Sequence, residues 1–143
     1  MCYFSDDEKR KSMHGVFKQE DLPFLANAFF HRALKLQIGC GAEPSLFRYN
    51  SDIIRFAKQK HVPYISYTTN GNLLNREDLQ ELFNAGLNEI TISMHGVYQE
   101  TYERLMTNAS YDRFHLVLAD ITELKKEFPG LQLRINYTIN KDN

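Results

Sequence analysis

Three short segments place glycine beside polar side chains in a way that suits ligand contact: Gly39-Cys40-Gly41-Ala42-Glu43-Pro44, Thr69-Asn70-Gly71-Asn72 and Ser93-Met94-His95-Gly96. Singly each is weak, because Asn-Gly is ordinary turn chemistry and glycine-rich loops commonly follow strands. Together they mark three places where backbone can approach a small charged ligand with no side chain in the way. Glu43 brings a carboxylate to the first segment, and its place before Pro44 favours ligand contact over a solvated loop role. Ser93 suits either a helix cap or a ligand contact, and His95 reads as a hydrogen-bonded turn histidine rather than a catalytic one. The two cysteines, Cys2 and Cys40, lack zinc-site spacing and are too few for a disulfide scaffold. Cys40 follows an apolar run, so core packing is expected of it before metal ligation.

The elements that must position these segments follow a rhythm. Strand-like apolar runs occur at Leu34–Ile38, Val62–Thr68, Glu89–Met94 and Leu131–Ile139, each followed by a turn signal. Helix-like segments lie before and between them, at Gln19–Arg32, Ser51–Lys60, Glu77–Ala85 and Tyr111–Phe128. Leu79, Leu82 and Phe83 have the spacing of one buried helical face. Leu116, Ala119, Asp120, Glu123 and Leu124 give a more mixed face, with Ser110 as its cap. Gly86 suits a helix C-terminus, and Pro129-Gly130 stops the last helix. Strands alternating with helices predict βαβ units and a parallel sheet.

The strands alternate rather than running apolar throughout. Leu34, Leu36 and Ile38 oppose Lys35 and Gln37; Ile90, Ile92 and Met94 oppose Thr91, Ser93 and His95; Leu131, Leu133 and Ile135 oppose Gln132, Arg134 and Asn136. A parallel sheet covered by helices on both faces would not alternate in this way. One face is therefore expected to pack on helices, while the other lines a lumen or meets solvent. The three segments then fall at strand carboxyl ends, where ligands of parallel α/β sheets bind. Arg134 and Asn136 face the lumen, and an unpaired arginine there calls for a carboxylate or an anionic ligand.

Composition narrows the classes further. The chain has 143 residues, 43% hydrophobic and 24% charged, as in an ordinary single globular domain. Lys plus Arg number 17 against 18 Asp plus Glu, which supplies no positive field for nucleic acid or an anionic membrane. Leu22–Phe30, interrupted by Pro23 and Asn27, is too short to span a bilayer, and no signal peptide is expected at the charged N-terminus. A cytoplasmic protein is expected. No GxGxxG or GxxxxGK[ST] phosphate loop and no Gly-x-Ser-x-Gly elbow is present.

In order and spacing, these motifs resemble the core domain of radical S-adenosylmethionine (SAM) enzymes over nearly the whole chain. Cys2-Tyr3-Phe4 is similar to the last cysteine of the CxxxCxxC motif and its aromatic neighbour. Gly41-Ala42-Glu43-Pro44 resembles GGEP, Thr69-Asn70-Gly71 resembles TNG, and Ile92-Ser93-Met94-His95-Gly96 resembles ISLDG or ISIHG. Glu100 to Arg104 matches the following helix, and Asn140 the asparagine after the fifth strand. The resemblance implies part of a (β/α)6 TIM-like barrel, with about four parallel strands and helices on the outer face. It implies a [4Fe-4S] cluster that reductively cleaves SAM to a 5′-deoxyadenosyl radical, which abstracts hydrogen from substrate. Implied SAM contacts are Gly41, Ala42, Glu43, Pro44, Asn70, Ser93, Arg104 and Asn136; Arg104 equally suits an ion pair with Glu100. Cys2 is the implied cluster ligand.

Ala42 departs mildly from the second glycine of GGEP, and is tolerated unless φ must be positive. The missing cysteines place the expected domain, residues 1–143, as a partial core truncated at both ends and lacking an intact cluster by itself. A flavodoxin or ferredoxin electron donor and an unknown substrate, a peptide by analogy, are implied. Open edges at the first and last strands predict self-association. The alternative is a non-catalytic α/β module that binds SAM or a nucleotide weakly.

Overall fold

Alternating strands and helices close into one parallel sheet, seen in a computed structural model that describes Glu8, Lys11, residues 17–139, Lys141 and Asn143. The expectations for Cys2, Tyr3, Phe4 and Asn140 fall outside the described residues, as does most of the Asp6–Lys11 charge run. Strands β1 (Lys35–Ile38), β2 (Tyr64–Thr69), β3 (Glu89–Met94) and β4 (Gln132–Tyr137) lie in the order β1-β2-β3-β4. Every pairing is parallel, so each connection must carry the chain back along the sheet. Helices α1 (Leu22–Phe29), α2 (Asn50–Gln59), α3 (Arg76–Asn84), α4 (Gln99–Leu105) and α5 (Tyr111–Leu124) lie before and between the strands.

The two faces differ as their alternation predicts. Ile65 and Tyr67 of β2 and Ile90 and Ile92 of β3 are buried in the core with helix residues such as Ile54, Leu79 and Ile121. On the opposite face, parallel register lines up polar residues in rows: Gln37, Ser66, Glu89 and Gln132, then Thr68, Thr91 and Arg134, then Ser93 and Asn136. The carboxylate that Arg134 needs comes from within the sheet. Glu89, 3% exposed, pairs with the Arg134 guanidinium at 2.9 Å. Tyr64 Oη donates to the same carboxylate at 2.9 Å and Thr91 Oγ1 at 3.2 Å. These bonds and the ion pair offset the desolvation of a buried carboxylate.

Local signals set the helix ends. Asn75 Oδ1 accepts from the Asp78 amide at 2.8 Å while Asp78 accepts from the Asn75 amide at 3.0 Å, a capping box before α3. Ser110 Oγ accepts from the Arg113 amide at 3.3 Å and caps α5. Gly86, with φ of 104°, follows α3 as expected of a C-terminal glycine.

Four expectations need correction. The helix at Gln19–Arg32 is shorter, with α1 flanked by 3-10 turns at Gln19–Asp21 and Phe30–Arg32. Pro23 in its first turn lacks the N–H that a longer helix would need there. The buried stripe of α5 is Phe114, Val117, Ile121 and Leu124. Leu116, one residue and about 100° off that stripe, is 58% exposed. Leu34 is 82% exposed because it precedes the paired part of β1. Ile135 is 42% exposed, since no described helix packs over that part of β4.

Candidate functional site

A cavity of about 1030 Å³ opens over the polar face at the carboxyl ends of the strands. The strands bring Gln37, Thr68, Ser93 and Asn136 to it, and the loops bring Gly39 to Glu43, Asn70 and His95. Leu105, Met106 and Thr107, which end and follow α4, form another wall. The sequence-predicted residues Gly41, Ala42, Glu43, Asn70, Ser93 and Asn136 are thereby brought together. Pro44 and Arg104 do not line the cavity; Arg104 is exposed on α4, one residue before the lining Leu105.

Glu43 works within the chain. Its Oε1 accepts from the Ser45 amide at 3.1 Å, Ser45 Oγ at 2.5 Å and Thr69 Oγ1 at 2.5 Å. Its Oε2 accepts from the Asn70 amide at 2.8 Å. The carboxylate therefore ties the loop after β1 to the end of β2 by charge-assisted hydrogen bonds. Gly41 and Ala42 remain exposed in the cavity. Ala42 is not among the residues with positive φ, so the alanine brings no backbone strain. Asn70 closes a local turn, its Oδ1 accepting from the Asn72 amide at 2.9 Å. Ser93 does not cap α4, whose N-cap is Tyr98; its side chain and that of Asn136 make no hydrogen bond to another described residue.

Gly39 and Gly96 serve chain packing rather than ligand approach. A Cβ on Gly39, whose φ is 81°, would lie 2.2 Å from the Thr68 carbonyl oxygen. One on Gly96 would lie 2.6 Å from the Tyr102 amide nitrogen. Cys40 also departs from expectation: it is exposed at the cavity, not packed in the core. The left-handed turn at Gly39 breaks strand alternation just before it.

Sequence reasoning missed Gln37 and Thr68 as lining residues, although their place on the polar face was a usable signal. Leu105 to Thr107 and Thr138 carried none. Elsewhere in the chain, burial pushes Tyr102 Oη above its ordinary value, against the hydrogen bond it accepts from Asn72 Nδ2 at 2.9 Å.

A parallel α/β sheet with helices on one face and a polar cavity over the strand ends defines a barrel-type ligand-binding class. The sequence profile of the Radical SAM superfamily matches residues 1–130, and the chain belongs to that superfamily, an enzyme class that uses a [4Fe-4S] cluster and SAM. A probable GTP 3′,8-cyclase of Metallosphaera sedula is 32% identical over 147 residues, covering 99% of this chain and 44% of that protein. One from Saccharolobus islandicus is 27% identical over 143 residues with the same coverage, 99% and 44%. The chain thus spans less than half the length of these curated relatives. Among solved structures, native anSMEcpe with bound AdoMet aligns with a TM-score of 0.66 at 15% identity, covering 87% of this chain and 35% of that one. BtrN in complex with AdoMet and 2-DOIA aligns with a TM-score of 0.55 at 16% identity, covering 87% and 46%. These two share the fold.

The described residues fit SAM in size and chemistry. The cavity is large enough, its floor has uncommitted polar side chains at Ser93 and Asn136, and the Gly41–Ala42 backbone is exposed to it. They do not supply the cluster's ligands: Cys40 is the one described cysteine, and no group of three ligating side chains occurs among the described residues.

Proposed function

We propose that the concave face of this chain is the SAM-binding surface of a radical SAM enzyme, whose core it carries in part. One observation supports this most: the cavity over the strand ends is built from the segments that match the superfamily. In this reading the backbone of Gly41, Ala42 and Glu43 meets the charged amino-acid end of SAM. The Glu43 carboxylate holds that backbone in place from behind, and Asn70 shapes the adjoining turn. Ser93 and Asn136 offer a hydroxyl and an amide to the polar groups of the ligand. Pro44 stiffens the loop, and Arg104 joins only if α4 shifts toward the cavity. Cys2 is proposed as one cluster thiolate. When bound, the cluster and SAM supply the reductive cleavage that begins the superfamily's radical chemistry.

The relatives' name makes GTP the first substrate to try with the whole protein. A flavodoxin or ferredoxin donor, a cytoplasmic location and pairing through the open edges of β1 and β4 belong to the same proposal. No helix among the described residues is long and apolar enough to cross a membrane.

Equilibrium dialysis of the chain against radiolabelled SAM tests the reading. Saturable binding competed by S-adenosylhomocysteine and weakened by Ser93→Ala and Asn136→Ala is expected. Binding that neither substitution changes would overturn the site, and no saturable binding would overturn the reading itself.

A further inference from the structure

The helices of this chain pack in the order of its strands, α1 on α2, α2 on α3 and α3 on α5. In right-handed βαβ units the crossover helix lies over the strand pair it joins, so α2 covers β1 and β2, α3 covers β2 and β3, and α5 covers β3 and β4. By the same geometry α1, which leads into β1, overhangs the outer edge of β1, where no described strand lies. Its side chains agree. Leu22, Ala26 and Phe30 are buried, but Phe29, one turn on from the half-buried Leu25, is 62% exposed. Leu34, which leads into β1 on the helix-side face, is bare as well.

The far edge of the sheet has the converse defect. On β4, Leu133, Ile135 and Tyr137 point to the helix side, since they pair in register with Ile90, Ile92 and Met94. Ile135 and, beyond the strand on the same alternation, Ile139 are exposed, with no described helix over them. One edge thus has a helix without a strand, and the other has a strand without a helix. Charge does not keep the two apart. Lys35 of β1 sits over the Tyr64 ring at 5.2 Å, and Arg134 of β4 pairs with Glu89 at 2.9 Å, so both edge cations are engaged within their own sheet.

We propose that two copies of this chain close into one barrel, the β4 edge of each pairing in parallel with the β1 edge of the other. α1 of each copy then covers β4 of the other, laying Leu25 and Phe29 across Ile135. Four strands from each copy reach the strand number, about eight, at which a parallel βα sheet closes on itself. A two-fold axis along the barrel makes both joints identical, so no edge is left and assembly stops at two copies. An even offset between β4 and β1 keeps the polar rows of both copies facing the lumen. All strands run the same way, so both cavities open at one end, with Asn136 and Thr138 of one copy beside Gln37 and Gly39 of the other. The proposal rests on the edge pairing named above and not on what the cavity binds.

Sedimentation velocity and light scattering of the 143-residue chain test this. A species of two chains that does not grow with concentration is expected. Phe29→Glu and Ile135→Lys put a charge at positions exposed in the single chain, so each should fold with unchanged circular dichroism. Each should also weaken the dimer roughly tenfold or more, because every joint uses both residues. Leu73→Glu, equally exposed but after the central strand β2, should leave the dimer intact. Pairing of β1 with β1 would instead respond to Phe29→Glu alone. Hydrogen exchange needs no variant: β1 and β4 should exchange as slowly as β2 and β3. A monomer at every concentration, a mass that climbs beyond two chains, fast exchange along either edge, or a dimer indifferent to Ile135→Lys would each overturn the proposal. SAM dialysis on the same samples separates the two readings. A dimer that binds no SAM supports closure and overturns the SAM surface, while a monomer that binds SAM does the reverse.

Discussion

Two cavities lie on opposite faces of the same sheet end and are made in different ways. The concave one is wide, and strand ends and loop backbone line it; its carboxylate, Glu43, already accepts four hydrogen bonds from the chain. The helix-side one, between α2 and α3, is smaller, with Phe47, Leu74 and Leu82 as apolar walls beside Asn50, Tyr67 and Asp78. A surface that offers its backbone can bind a ligand with charges of both signs. Asn50 joins the two, since it borders the second and its nitrogen holds the loop of the first.

The sharpest way to break this contrast is to untie the concave loop alone. Glu43→Ala removes the acceptor of four bonds and should lower unfolding stability by about 3 kcal/mol, read by urea denaturation. SAM binding should be lost with it. Retention of SAM binding would show that other contacts hold the loop. Leu82→Ala probes the other side: it opens the helix-side wall and should cost about 2–3 kcal/mol with SAM affinity unchanged.

Asn50→Leu should blur the contrast. It is expected to weaken SAM roughly tenfold, because its amide holds the loop after β1 from the helix side. Unchanged SAM affinity would mean that the bonds of Glu43 hold the loop without Asn50. Smaller still, Ser93→Ala or Asn136→Ala should reduce SAM affinity by about fivefold, with stability within ~0.5 kcal/mol of the parent.

The smallest effect is alkaline. Tyr67 in the folded chain holds its proton above the ordinary tyrosine value of 10.0, so above that pH the unfolded chain binds fewer protons than the folded one. Stability therefore falls as pH rises beyond 10.0. Absorbance at a tyrosinate wavelength should show Tyr67 ionising only with unfolding, and Tyr67→Phe should flatten that part of the stability profile. Free ionisation of Tyr67 in the folded chain would show that its hydroxyl is less buried than the structure has it.

Much of the concave site was legible because strand side chains obey a period of two. Once Ile90 and Ile92 are assigned inward to the helices, Thr91 and Ser93 must face the lumen. The strand-end glycines located the loops correctly but for another reason, since Gly39 admits the Thr68 carbonyl rather than a ligand. Arg134 called for a carboxylate or an anionic ligand, and only the register of β3 against β4 made that partner Glu89. Cys40 looked like a core residue because an apolar strand precedes it; the turn at Gly39 sent it to the cavity.

The sequence by itself determined the parallel sheet, its polar face, the cap at Ser110 and the motif segments, because these depend on periodicity and on neighbours a few residues apart. The tertiary structure alone decided what Glu43 and Asn50 do. Their partners lie up to 27 residues away for Glu43 and 17 for Asn50, on elements brought together only when the sheet and helices pack. The helix-side cavity is decided there too, because it exists only where α2, α3 and the end of β2 fail to fill the space between them.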